Sequence, residues 1–306
     1  MARRPGDHRA RRGDPVTERL SYSQLNSWAG CGERYRLERI VQVPQRPAWN
    51  LIGGSTVHEL TEQHDLSRLG VDTVSYTFDE VFERRTVEAE QASGFDRTEF
   101  RSSGRASKDW PNKEDNTWWA ANGPAMVNRW VTFVNNVPWD IWVTPDGKPA
   151  VELDFLLPLF PDGTGEPTVE VKGFIDRVMV DRDGNLIVVD VKTGASKQPT
   201  ARQLGVYRVG LLHRFGVEAA FGSFWDARSG SASPLVSLAN YDLARVTWQY
   251  EQVRRARALN IYIPNPGPLC GSCSVNESCY EFSLDAPERG VRPPWVSVEE
   301  WNGAAA

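Results

Sequence analysis

Four cysteines, four histidines and three methionines are all that 306 residues contain. Sulfur and imidazole are scarce, so each such residue has to be explained. No apolar run approaches the roughly 18 residues that a membrane-spanning helix needs. Nor is there a global basic field: 35 Lys and Arg against 40 Asp and Glu give a net charge of −5. Any contact with a polyanion must then be local. The first dozen residues carry Arg3, Arg4, Arg9, Arg11 and Arg12 among Gly, Pro and Asp, without the apolar core of a secretory signal. Residues 1–19 are expected to be a disordered, mildly basic arm, and the protein to be cytoplasmic, where disulfides are rare. The chain lacks a Gly-x-x-x-x-Gly-Lys-Ser/Thr loop. His58-Glu59-Leu60-Thr61-Glu62 lacks the second histidine of a zinc-protease helix. No internal repeat is visible.

What is present is a soluble composition, 40% hydrophobic and 25% charged, long enough for one sizeable core. Residues 20–40 read as a helix capped by Ser21 or Ser23 and interrupted between Gly30 and Gly32. Residues 54–68 read as a second helix with Gly54 at its start. Helical patterns fill 75–137, around a polar loop near 93–109 and a run of tryptophans (Trp110, Trp118, Trp119, Trp130). Those tryptophans can stack bases or fill a core, and core is the commoner use. The texture changes near 150. AVELDFLLPLF, TVEVKGFIDRVMV and NLIVVDVK are strand-like and separated by turn residues. A helix at about 199–214, a strand at 221–227 and a helix at 241–259 follow, giving a mixed α/β pattern. Arg245, Arg254, Arg255 and Arg257 on the last helix can face phosphates or solvent.

The stretch VEVKGFIDRVMVDRDGNLIVVDVKTG sets charge inside apolar strands. A hairpin with a loop at Arg182, Asp183 and Gly184 puts Asp181 opposite Asn185 and Asp176 opposite Asp190. Directly opposed Cβ atoms are about 5 Å apart, and two like charges that close want a cation between them. Lys192 shares the face of Asp190, because strand side chains alternate with period two. Two hard carboxylates suit Mg²⁺ or Mn²⁺, and an ammonium beside them can orient water or neutralise phosphate charge. The plain alternative is a solvated surface hairpin with a weak Asp190–Lys192 pair.

Asp176 in GFIDRV and Asp190-x-Lys192 in VVDVKTG resemble the core of the PD-(D/E)xK nuclease superfamily, and within it the RecB-type exonuclease branch. Three further features match that branch: Gly54-Ser-Thr-Val-His58, Gln203-Leu-Gly-Val-Tyr207, and an acidic residue, Glu152, on the strand before the hairpin. The resemblance implies a restriction-endonuclease-like α/β fold, a mixed central β-sheet flanked by helices. It implies Mg²⁺ or Mn²⁺ on His58, Asp176, Asp190 and the carbonyl of Val191. Lys192 would activate water, with Gln203 and Tyr207 orienting it. It covers residues 20–62 and 150–282. The expected division is 20–62 as N-terminal helices, 63–148 as a helical insertion, 149–262 as the nuclease core and 263–306 as a cysteine-bearing tail.

Cys31 and the Cys270-x2-Cys273-x5-Cys279 triplet account for every cysteine. Four thiolates in a reducing compartment suit zinc or an iron–sulfur cluster. One cysteine plus a C-terminal triplet resembles the 4Fe–4S arrangement of AddB-type and CRISPR-associated nucleases, which staples the N-terminal helix to the tail. Zinc is the alternative occupant. That family often has Pro after the first cysteine, where this chain has Gly32. The implied function is a metal-dependent DNA exonuclease acting on single-stranded ends, 5′-to-3′, in recombination, repair or replication, with a bacteriophage setting in keeping. A helicase or recombination partner would be a separate protein. The alternatives are a nuclease trimming DNA for CRISPR spacer acquisition, or a non-catalytic Fe–S DNA-binding protein.

Overall fold

A computed structural model of the chain describes residues 17–71, 73–160, 167–195, 200–282, 290–293 and 295–304. The arginines of the N-terminal arm lie outside the described residues. Strand β1 (Glu18–Leu20) leads into α1 (Tyr22–Gly30), α2 (Gly32–Tyr35) and a π-helical turn at Arg36–Val41. Helices α3 (Trp49–Arg68), α4 (Phe78–Ser93) and α5 (Asn116–Asn136) follow. Then come β2 (Trp139–Ile141), β3 (Val151–Leu159), β4 (Val169–Asp181), β5 (Leu186–Lys192), α6 (Arg202–Phe215) and β6 (Ala219–Asp226). Two short strands, β7 (Ser231–Ala232) and β8 (Val236–Ser237), precede α7 (Leu243–Ala258) and α8 (Val298–Ala304).

The strands form one mixed sheet with helices on both faces. β4 pairs antiparallel with β3 and β5 and parallel with β1, and β5 pairs parallel with β6 through the α6 crossover. The reason is in the sequence. β5 is Leu-Ile-Val-Val-Asp-Val-Lys, buried on both faces, as an interior parallel strand must be. β3 alternates buried and less buried positions, as a strand with one covered face does. One core cluster joins α1, α6 and α7 to one face of the sheet. A second joins α3, α4 and α5 to the other, around the fully buried Trp119, Trp130 and Trp225.

The β4–β5 hairpin has the anticipated register. Val180 pairs with Leu186 and Arg177 with Val189, and Asp181 N donates to Asn185 O at 3.1 Å. The Asp181 carboxylate takes the turn's amides, from Asp183 at 3.0 Å and Asn185 at 2.8 Å. Gly184 supplies the positive φ of 83° that the turn demands.

Several expectations need correction. The second helix begins at Trp49, so Gly54 sits inside α3 and not at its start. Glu18 and Arg19, expected in the disordered arm, and Leu20, expected to open a helix, form a strand paired with Val169–Val171. Three residues carry too little pattern to be read without their partner. The short β2 within the region read as helical escaped for the same reason. Trp119 and Trp130 are core, and Trp118 is half-buried with the Arg228 guanidinium 4.9 Å above its ring. The arginines of α7 engage the protein itself: Arg254 and Arg255 bind Glu251, Arg257 binds Glu18, and Arg245 lies over Tyr241.

β4 has an interrupted flank. Arg177 pairs with both Val151 and Val189, and Val169–Val171 pair with both β3 and β1. β1 and β5 therefore lie along the same side of β4. Between them, residues 172–176 have no strand partner on that side among the described residues. The candidate site lies at the inner end of this gap.

Candidate active site

One step beyond the last β4–β5 pair, Asp190 comes beside Asp176. On the other side of β4, the pairs Val151–Arg177 and Leu153–Ile175 bracket Glu152 opposite Asp176. Three carboxylates thus lie in a row across three strands. Glu152 holds φ at 46°, a left-handed conformation costly for a residue with a Cβ, and such strain concentrates at functional positions. α3 brings His58 over the row. Its Nδ1 is 3.6 Å from Asp176 Oδ2 and 3.7 Å from Glu152 Oε1. Ligand atoms of His58, Glu152 and Asp176 all lie within 4.8 Å of one another. Asp190 Oδ2 turns to Lys192 instead, 2.5 Å from its Nζ.

Lys192 continues a polar chain. Its Nζ donates to Gln203 Oε1 at 2.8 Å, and Gln203 Nε2 donates to Tyr207 OH at 2.8 Å. Gln203 and Tyr207 are four apart on α6, hence on one helix face. The chain fixes the ammonium beside Asp190. Val191 takes part through its amide, which donates to Asp176 Oδ2 at 2.7 Å.

These charges perturb one another. Burial first, and the neighbouring Asp176 charge second, push the Asp190 carboxyl up to about 7. Burial likewise raises Asp176, against the pull of His58. Burial alone would lower His58, but the charges of Asp176 and Glu152 outweigh it and raise it. Burial would raise Glu152, yet His58 and Arg177 hold it below the usual range. A cluster of acids that resists its own ionisation is what a bound cation relieves. Glu152 Oε1 and Asp190 Oδ2 are buried and make no hydrogen bond of good geometry. The donor set is one imidazole and carboxylate oxygens, which fits a hard divalent cation.

A supporting network lies behind the site, and sequence reading missed it. Arg177 Nε donates to Asp65 Oδ2 at 2.6 Å, and Trp130 Nε1 donates to the same carboxylate at 3.0 Å. Arg177 also reaches Thr61 Oγ1 at 3.3 Å and the carbonyl of Asp176 at 2.6 Å. The available signal was a second charge, Arg177, in an apolar strand. Its partner on a distant helix gave none. A further clamp joins the insertion to the loop after Lys192. Arg228 pairs with Glu114 at 2.9 Å and donates to the Thr193 carbonyl at 2.8 Å.

The cysteines sit elsewhere. Cys31 Sγ caps α2, accepting from Arg34 N at 3.5 Å, and accepts from Asn265 N at 3.4 Å. Gly32 N donates to Ile263 O at 2.9 Å, and a Cβ on Gly32 would come 2.7 Å from the Ile263 backbone. The N- and C-terminal segments therefore touch at Cys31. Cys273 and Cys279 pack against the cluster of Leu37, Val43, Val275 and Val291. Burial pushes the Cys279 thiol up, and Glu33 and Cys31 add to the shift. All four thiols are free and half-buried.

Among the described residues, no helix is long and apolar enough to cross a membrane. The chain is 31% identical over 286 residues to the Gene 69 protein of Mycobacterium phage D29, covering 86% of this chain and 96% of that protein. It is 29% identical over 303 residues to the Gene 69 protein of Mycobacterium phage L5, with the same coverage, 86% and 96%. The crystal structure of SSO0001 aligns over 87% of both chains with 12% identity and a TM-score of 0.38, too low to establish a common fold. The family model of the PD-(D/E)XK nuclease superfamily matches residues 19–280. That span runs from within β1 to just past the cysteine triplet, and the chain belongs to this superfamily.

Proposed function

We propose that the protein is a Mg²⁺- or Mn²⁺-dependent DNA exonuclease that hydrolyses phosphodiester bonds at single-stranded ends. The observation that carries this is the convergence of His58, Glu152, Asp176 and Asp190 beside an ammonium held by Gln203. His58, Glu152 and Asp176 would hold the cation, with Asp190 and the Val191 carbonyl completing the set. The cation supplies a Lewis acid for the phosphate and a water of lowered pKa. Lys192 Nζ would hold the attacking water in place and offer its positive charge to the developing phosphate charge. Gln203 Oε1 holds Nζ in line, and the Tyr207 hydroxyl accepts from Gln203 Nε2, so that one hydrogen-bonded chain sets the direction of attack.

The four cysteines hold a structural 4Fe–4S cluster that fastens α1 and α2 to the C-terminal segment. The contact of Cys31 with Asn265 and the nearby burial of Cys273 and Cys279 support this. Zinc on the same four thiolates is the alternative occupant. The phage relatives favour a phage setting, and the role proposed there is in DNA recombination, repair or replication. The test is anaerobically purified protein with Mn²⁺ on single-stranded DNA labelled at either end. Stepwise release from a 5′ label supports the 5′-to-3′ reading, and release only from a 3′ label reverses the polarity. No release from either, with DNA still bound, contradicts the exonuclease.

A further inference from the structure

We propose that the cleft between the start of α1 and the open flank of β4 seats the single-stranded end. Phe174 would stack on a base and Lys172 would take the phosphate behind it. This rests on the nuclease reading above and names how that site holds its substrate.

The strand itself lays out the positions. Lys172, Phe174 and Asp176 alternate with Val171, Gly173 and Ile175. Val171 and Ile175 are fully buried, and a Cβ on Gly173 would meet the Phe155 ring at 2.6 Å. Lys172 and Phe174 therefore point away from the core, in line with Asp176. Side chains two apart on a strand repeat at roughly 6.6 Å, about twice the 3.4 Å of a stacked nucleotide step and close to a stretched one. The positions fall in the stretch of β4 that lacks a strand partner between β1 and β5.

Two side chains on this row lack a structural reason for where they are. Phe174 is 48% exposed, although it stands on a central strand. Lys172 Nζ sits 5.7 Å from its ring centroid, and no carboxylate lies within ion-pair distance of it among the described residues. The neighbouring Arg19, by contrast, is paired with Glu170 at 2.9 Å. An exposed aromatic ring beside an uncommitted cation is the pairing that holds an unpaired base and its phosphate. The cleft runs from these two to Asp176, Gln203 and Tyr207, with Tyr22 lining it as well. Its volume of about 580 Å³ is on the scale of a small-molecule site. A nucleotide or two fits there, and a duplex does not. The carboxylate end repels phosphate unless a cation is bound, so Lys172 gives the groove its standing positive charge.

The test is fluorescence anisotropy of a labelled oligothymidylate with full-length protein in EDTA, where nothing is cleaved. Phe174→Ala and Lys172→Ala are each expected to weaken binding about tenfold. Lys172→Ala should also lower the salt dependence by about one counterion, while Phe174→Trp keeps the affinity. Lys148→Ala, remote on the β2–β3 turn, should leave binding unchanged. If Phe174→Ala and Lys172→Ala bind within twofold of wild type, or wild type binds no oligonucleotide, the proposal is overturned. Weakened binding by both variants, with wild type inert in Mn²⁺, leaves the groove standing and removes the nuclease. Active wild type with unaffected variants removes the groove alone.

Discussion

Arg177 on β4 and Asp65 on α3 form an ion pair with 0% of either side chain exposed. It ties the helix that carries His58 to the strand that carries Asp176. Removing one partner strands a buried charge, at a cost of roughly 3–5 kcal/mol. Asp65→Ala should lower the denaturant midpoint accordingly. An Asp65→Leu, Arg177→Met double variant should recover much of the stability. It should not recover cleavage, because Arg177 also holds the Asp176 carbonyl. Equal stability of Asp65→Ala and wild type would contradict this role.

The buried acidic cluster opposes folding at neutral pH. Asp190, held up to about 7 by burial and Asp176, binds a proton in the folded state that the unfolded chain releases near its ordinary value of 3.8. The folded state thus binds more protons between about pH 4 and 7, and stability falls as pH rises through that window. Asp190→Asn should raise the melting temperature in EDTA by roughly 5 °C at pH 8 and by much less at pH 5. A gain independent of pH would contradict the assignment.

Two adjacent glycines should separate fold from site. A Cβ on Gly53 would come 2.1 Å from the Trp119 ring, a buried side chain with nowhere to go. A Cβ on Gly54 would come 2.8 Å from Thr193 Oγ1, in the loop just after Lys192. Gly53→Ala should lower thermal stability strongly, by about 1–3 kcal/mol or more. Gly54→Ala should fold and lose cleavage. Thermal melts and activity of the pair distinguish the two, and the reverse pattern would overturn the distinction.

The tail predicts its own chemistry. Anaerobic protein should contain iron and acid-labile sulfide, and Cys279→Ser should lose both together with stability. Colourless protein with one zinc per chain would contradict the cluster.

Much of the geometry of the candidate site was legible in the sequence, and the reason is local geometry. The hairpin register followed from one turn, and the Gln203–Tyr207 face from a four-residue spacing. Both are short-range properties. Arg177–Asp65, Glu114–Arg228 and the strand at Glu18–Leu20 join residues far apart in the chain, and no period reports them. Glu152 was a weak candidate until the β3–β4 register set it opposite Asp176. Gly54 was read as a helix start because glycine punctuates, whereas here it admits a neighbouring loop.

The most direct measurement is the single-turnover cleavage rate of end-labelled single-stranded DNA by Lys192→Ala beside wild type, at saturating Mn²⁺. Loss of a positioned ammonium beside the attacking water predicts a fall of about 10²–10³-fold with DNA binding largely kept. A rate within twofold of wild type would contradict the role of Lys192 and the nuclease centre built around it.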